Sequence, residues 1–228
     1  MTFVIDPPTQ ASVAVTGTSA RFPARRVYCV GRNYAAHARE MGHDPDREDP
    51  FFFQKPADAL AASGQTLAYP PATNDLHHEI ELVVALKEGG TNISEGDARQ
   101  MIYGYAVGLD MTRRDLQGEA KKKGRPWDTG KGFDNAAPIA PITPFEETGY
   151  LDHGRIWLRV NGDMRQEGDM NQMIWKVDET IAYLSRLFTM MPGDLIFTGT
   201  PEGVAAVGAG DRLEGGVDGL TGISIKYK

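Results

Sequence analysis

The run Leu76-His77-His78-Glu79-Ile80-Glu81-Leu82-Val83-Val84-Ala85-Leu86 constrains the chain most, because its apolar, β-branched character reads as a strand. Side chains alternate between the two faces of a strand, so Glu79 and Glu81 point the same way. Like charges held side by side on a half-buried strand raise each other's pKa and cost stability, which a cation between them would offset. A second apolar run, Tyr103 to Leu109, closes on Asp110 just before polar Thr112, Arg113 and Arg114, and makes Asp110 the candidate third ligand. Three carboxylates are hard oxygen donors. They suit Mg²⁺ or Mn²⁺ and would leave about three positions of an octahedral ion to water or substrate. On spacing alone, a solvated acidic strand face is an equal alternative. His77 shares the face of the two glutamates, as a fourth ligand or as a partner of a ligating carboxylate, while His78 points away. For both histidines a hydrogen bond to backbone is the commoner role.

Composition bounds the setting of this site. A chain of 228 residues buries roughly 70–75% of the surface its unfolded form exposes and needs no disulfides to do so. The single cysteine, Cys29, lies in the apolar run Val27-Tyr28-Cys29-Val30 and reads as a buried structural thiol in a reducing compartment. Met1 to Val15 lacks a basic start followed by a long apolar region, and no apolar run reaches the about 18 residues of a membrane span. The expected setting is the cytoplasm, with no membrane partner. A net charge of −7 argues against a nucleic acid partner, which needs a basic face. The cluster Lys121-Lys122-Lys123-Gly124-Arg125 is either a solvated loop or helix end, or a lure for an anionic substrate.

Turn and cap residues divide the rest into short elements. Arg26 to Val30 is a strand ended by Gly31, after which Asn33 caps a helix through Ala35 to Met41 that sets His37 and Glu40 on one face. Phe51 to Lys55 form an aromatic strand stopped by Pro56, and Ser94 caps a helix leading to the Asp110 strand. Ile156 to Val160 and Met164 to Gln166 make a hairpin around Asn161-Gly162, the dipeptide suited to a type I′ turn. Asp178 caps a helix with Ile181, Leu184, Leu187 and Phe188 on one face; Pro192-Gly193-Asp194 then turns into the strand Leu195 to Phe197, and the alternation of Leu220 to Tyr227 makes a last strand. With no repeats or linkers, these elements amount to one β-rich α+β unit, residues 26–228, behind an N-terminal extension, residues 1–25.

Several motifs now stand in one order along the chain. Gly31-Arg32-Asn33-Tyr34 with His37 and Glu40 comes first, then Lys55-Pro56, His78-Glu79-Ile80-Glu81-Leu82 and Gly108-Leu109-Asp110-Met111-Thr112. Arg114-Asp115, Lys121-Lys122-Lys123-Gly124, Pro126-Trp127, Lys131 and Thr198-Gly199-Thr200-Pro201 follow. From Tyr28 onward the chain resembles the fumarylacetoacetate hydrolase family. Pro50-Phe51-Phe52-Phe53-Gln54-Lys55-Pro56 and Asp110-Met111-Thr112-Arg113-Arg114-Asp115-Leu116 are similar to its acylpyruvate hydrolase branch, and within that to members acting on fumarylpyruvate in gentisate-type aromatic catabolism. Asp128-Thr129-Gly130 ahead of Lys131 departs from the more apolar approach expected in the family.

The resemblance implies packed mixed β-sheets with a few peripheral helices. It implies that Glu79, Glu81 and Asp110 hold Mg²⁺ or Mn²⁺, which chelates a small-molecule 2,4-diketo acid through its carboxylate and 2-oxo oxygens. Hydrolysis of the carbon–carbon bond then needs a water at the distal acyl carbonyl, with His37, oriented by Glu40, as general base and Lys131 as a second positive contact to the pyruvate enolate. Arg32, Lys55, Arg114, Gln117 and Thr200 become candidates for binding substrate, and a homodimer is the expected assembly. Without the resemblance, His37 and Glu40 would be a surface pair, Lys55 and Lys131 ordinary lysines, and Arg32 a structural tether. The family also holds oxaloacetate decarboxylases and diene-dioate isomerases, and its fold could serve as a metal-stabilised binding protein.

Overall fold

The computed structural model describes residues 2–35 and 48–228, and the apolar runs of the sequence form its framework. The main sheet contains β1 (Val27–Gly31), β2 (Phe51–Lys55), β3 (Leu60–Ala62), β4 (Ile80–Leu86), β5 (Ile102–Leu109), β6 (Ala137–Ile139) and β7 (Leu195–Phe197). Their spatial order is β2-β1-β7-β4-β5-β6-β3, and Thr143–Pro144 adds an eighth strand on β5. Pairing is parallel between β1 and β7 and between β6 and β3, and antiparallel elsewhere, so the sheet is mixed.

Central β4 is buried along its whole length, which is why its sequence lacks the polar alternation of a half-solvated strand. One face, Ile80, Leu82, Val84 and Leu86, packs on a second sheet through Ile156, Leu158, Leu213 and Ile225. That sheet has five strands in the order Asp163–Asp169, Arg155–Val160, Arg212–Val217, Ile223–Tyr227 and Thr66–Leu67. The other face of β4, Val83 and Ala85, joins a cluster closed by Val13, Val15 and Phe22 of the N-terminal hairpin Ser12–Ala14 and Arg21–Pro23. Cys29 is buried in the same cluster as a free thiol. The helices α1 (Arg114–Lys122), α2 (Asp128–Lys131) and α3 (Val177–Leu187) lie outside the sheets. The fold is thus a single β-rich α+β domain of packed mixed sheets.

Several sequence expectations hold in detail. Ser94 Oγ accepts the Asp97 N–H (3.2 Å), Asn161 and Gly162 both take positive φ (54° and 90°) in the hairpin, and Ile223–Tyr227 alternates as expected. Others are corrected. The strand read from Leu76 to Leu86 is broken: Leu76–His77 pairs with Thr112–Arg113 and Ala206–Val207 in a separate sheet, and β4 begins only at Ile80. The break is stabilised by Gln166, whose Oε1 accepts from the Ile80 N–H (3.1 Å) and from His78 Nδ1 (2.8 Å) in place of a strand neighbour. His78 is therefore bonded to a side chain and not to backbone.

The helix assigned to Asp178 starts two residues earlier, with Lys176 at the cap position. Glu179 accepts the Lys176 N–H (2.8 Å), and Asp178 is drawn instead to Arg99 (3.0 Å). Ile181 and Leu184 are buried as expected but Leu187 is 56% exposed. Among the described residues the Asn33 carboxamide accepts from the Trp175 N–H (2.7 Å) and donates to Trp175 O and Thr198 O, tying the end of β1 to the segments around them. His37, Glu40 and most of the helix expected there lie outside the described residues.

Candidate active site

The carboxylates meet because of strand register. Ile80 pairs with Leu109 across β4 and β5, and the Asp110 N–H donates to Glu79 O (2.8 Å), so Asp110 stands opposite Glu79 on the face that Glu79 shares with Glu81. All three side chains are buried, and one ligand oxygen from each lies within 4.8 Å of the others. Burial, then the charges of Asp110 and Glu79, push Glu81 well above the usual carboxylate range.

Among the described residues, three cations surround the cluster. Lys131 Nζ donates to Glu79 Oε2 (2.9 Å) and Asp110 Oδ2 (2.7 Å), so an ammonium stands between two of the three carboxylates. Burial alone would lower the Lys131 pKa, but Asp110 and Glu79 outweigh it and hold it above the ordinary lysine value. Arg114 pairs with Glu79, and Lys55 Nζ lies 2.8 Å from Asp110 Oδ1. Glu81 differs. Its Oε2 accepts the Gly199 N–H (2.8 Å), but among the described residues no cation is within ion-pair distance of it. A divalent cation would supply the charge that Glu81 lacks, and the all-oxygen donor set suits Mg²⁺ or Mn²⁺. The residues fit such an ion.

Gly199 can reach Glu81 because it follows β7 at φ 97°, with its Cα so close to Asn33 that a Cβ would meet the Asn33 Cβ at 2.7 Å. The same turn presents Thr200 to a cavity whose floor is the carboxylate cluster. Arg32, Arg114, Gln117 and Lys131 also line it. Arg114 Nη1 donates to Gln117 Oε1 (2.7 Å), which turns the Gln117 amide hydrogens away from Arg114. Lys55 does not line the cavity. Its ammonium is held by Asp110, Met111 O (3.0 Å) and Lys131 O, so it fixes the Asp110 and Lys131 segments relative to each other. His77 is no ligand: its Nε2 contacts Asp75 (2.8 Å) and its Nδ1 accepts from Arg114 Nε (3.4 Å), bracing the arginine that pairs with Glu79.

Two features of the cavity escaped the sequence reading. Phe51, Phe53 and Trp127 form an aromatic wall, and Gln166 Nε2 donates to Thr200 Oγ1 (2.8 Å) from a hairpin far along the chain. For the wall, the signal was the Phe51-Phe52-Phe53 run; for Gln166 there was none.

Residues 26–225 match the fumarylacetoacetate (FAA) hydrolase C-terminal family. A fumarylpyruvate hydrolase from Ralstonia sp is 48% identical over 187 residues, covering 81% of this chain and 97% of that protein. The mitochondrial oxaloacetate tautomerase FAHD1 of Rattus norvegicus is 42% identical over 204 residues, 90% of this chain and 91% of that protein. The crystal structure of fumarylpyruvate hydrolase from Pseudomonas aeruginosa in complex with Mn²⁺ and pyruvate superposes with a TM-score of 0.97 at 53% identity, covering 99% of both chains. A metal-ready carboxylate cluster on this framework, matched over nearly the whole length, has one parentage: the chain belongs to the fumarylacetoacetate hydrolase family.

Proposed function

We propose that the chain is a divalent-metal-dependent acylpyruvate hydrolase that converts fumarylpyruvate to fumarate and pyruvate. The observation that carries the reading is the convergence of Glu79, Glu81, Asp110 and Lys131 on one cavity with Gln117 and Thr200. Glu79, Glu81 and Asp110 would hold Mg²⁺ or Mn²⁺, which would supply Lewis-acid polarisation to the 2-oxo acid end of the substrate. The Gln117 amide and the Thr200 hydroxyl bind and orient the substrate carboxylate, with the Arg114 charge behind them.

His37, oriented by Glu40, takes a proton from the water that adds to the distal acyl carbonyl; this assignment is made from the sequence alone. Collapse of the adduct breaks the bond between that carbonyl carbon and the neighbouring methylene. The electron pair passes into the pyruvate enolate, and protonation of the methylene carbon completes pyruvate. Lys131, let go by one of its two carboxylates, donates to the enolate oxygen. The assembly we propose is a homodimer, for which exposed Leu187 and Met191 (56% and 41%) offer apolar surface. Light scattering should then report about twice 24.9 kDa, and a strict monomer at micromolar concentration would refute it.

The similarity to a tautomerase favours a second reading, enol–keto exchange of oxaloacetate in the same cavity. A panel of fumarylpyruvate, maleylpyruvate, acetylpyruvate and oxaloacetate with added Mg²⁺ separates the two. Pyruvate release from fumarylpyruvate, faster than from the others, is the expected result. Acceleration of oxaloacetate exchange with no pyruvate from any acylpyruvate would replace the first reading by the second.

A further inference from the structure

The cavity continues beyond the carboxylate cluster along three aromatic rings. Phe53 and Trp127 have ring centroids 5.8 Å apart, and Trp127 meets Phe51 edge-on at 5.4 Å. Each ring carries a cation: Lys131 Nζ lies 4.9 Å from the Phe53 centroid, Lys121 Nζ 4.9 Å from that of Trp127, and Arg32 Cζ 5.3 Å from that of Phe51. Phe51 and Phe53 lie two residues apart on β2 and share a face, so the row advances by roughly 7 Å from the carboxylate end to the Arg32 end. That is about the reach of a fumaryl group beyond a chelated 2-oxo carbon.

The cations on this row are not equivalent. Lys131 is taken up by Glu79 and Asp110, whereas among the described residues neither Lys121 nor Arg32 has a carboxylate within ion-pair distance. Lys121 also stands apart from the lysines beside it. Lys122 is exposed and Lys123 pairs with Glu119 four residues back, while Lys121 alone turns inward to line the cavity. Burial first, then the charges of Arg114 and Arg32, bring the Lys121 pKa down to about 8. Among the described residues, the outer end of this cavity thus holds positive charge with no carboxylate paired to it.

We propose that Lys121, supported by Arg32, binds the terminal carboxylate of a dicarboxylic 2-oxo acid whose first carboxylate and 2-oxo group lie at the Glu79–Glu81–Asp110 end. The Trp127 and Phe51 rings wall the stretch between, where a planar unsaturated chain packs well. Lys121 is then a specificity residue that separates dicarboxylic from monocarboxylic acyl groups. The proposal rests on the function given above for which end of the substrate reacts.

A matched pair of inert ligands tests it without turnover. Calorimetry with the Mg²⁺-loaded protein compares 2-oxoheptanedioate with 2-oxoheptanoate, which lacks only the terminal carboxylate. The parent should favour the dicarboxylate. Lys121→Met should shrink that preference roughly 10- to 100-fold, the worth of one charge-assisted hydrogen bond, and Lys121→Arg should restore most of it. A parent that binds both ligands alike, or a preference unchanged in Lys121→Met, overturns the proposal. Failure of the hydrolase reading looks different, since the binding preference would persist in a protein that cleaves no acylpyruvate.

Discussion

Gln166 holds Thr200 in one sense only. Because Gln166 Oε1 accepts from the Ile80 N–H, its carboxamide cannot flip, and Nε2 must donate to Thr200 Oγ1 and to Pro201 O (2.8 Å each). Burial lowers the His78 pKa, so the ring is neutral and must donate its Nδ1 hydrogen to the same Oε1. The Thr200 hydroxyl, already an acceptor, has its own hydrogen left for the cavity. A chain of directed bonds thus runs from the strand break to the substrate side of the pocket.

Removing that direction has a defined signature. Gln166→Leu should raise KM for the acylpyruvate about 10-fold with a smaller change in kcat, as Thr200→Val should, and the double variant should lose little more than either alone. The Ile80 N–H and His78 Nδ1 left unpaired cost about 1–3 kcal/mol each, so the Tm of Gln166→Leu should fall on the order of 5–10 °C while that of Thr200→Val falls less. Additive kinetic losses would show that Gln166 does not act through Thr200.

The three carboxylates should respond to neutralisation with opposite signs. In metal-free protein, Glu81→Gln removes a buried carboxyl that has no cationic partner among the described residues and should leave Tm unchanged or raise it. Glu79→Gln and Asp110→Asn break buried ion pairs and should lower Tm on the order of 10 °C. All three should abolish the rise produced by Mn²⁺ in the parent, which is about 2.7 kcal/mol at a hundredfold excess over Kd. Differential scanning calorimetry with and without Mn²⁺ reads both effects, and a Glu81→Gln protein still stabilised by Mn²⁺ would remove Glu81 from the ligand set.

Lys121 gives the pocket a pH limit. Its ammonium faces Arg32, Arg114 and Lys131, with Glu79 as the opposing charge, and loses its proton near pH 8. Only the protonated form attracts a second carboxylate, so kcat/KM for a dicarboxylic acylpyruvate should fall as the pH rises through about 8, while Lys121→Arg should hold its value. A profile that falls equally for acetylpyruvate would place the titrating group elsewhere.

His37 separates hydrolysis from chemistry that needs no attacking water. His37→Ala should lose on the order of 10²–10⁴ in fumarylpyruvate hydrolysis, the usual worth of a positioned general base, and much less in decarboxylation of oxaloacetate. Parallel stopped-flow measurements of the two reactions check it, with equal losses counting against His37 as the base.

What could be read from the sequence depended on distance along the chain. Glu79 and Glu81 were legible because their convergence is local, a matter of period two, and Asp110 because an apolar run ended on it. Gln166 was not, since its bond to Ile80 spans 86 residues and no pattern in either segment announces it. The break at His78 was hidden for the same reason: the side chain that stabilises it comes from the second sheet. Helix α1 went unread because its run Arg114-Asp115-Leu116-Gln117-Gly118 is polar and buries only Gln117 and Ala120. Asp178 misled because the residue that draws its carboxylate, Arg99, lies 79 residues away and no local pattern announces the pair.

Glu81 sits on β4, and Glu79 and Asp110 at the facing ends of β4 and β5, in the middle of the main sheet, whereas Phe51 and Phe53 sit on β2, its outermost strand. A middle strand is gripped on both sides, and a change in it shifts register through its neighbours; an edge strand answers to one neighbour only. The two ends of the pocket therefore evolve at different cost. A different acyl group can be met by altering an edge strand and the end of a surface helix while the carboxylate geometry in the middle of the sheet stays in place, so such a scaffold changes its substrate more readily than its chemistry.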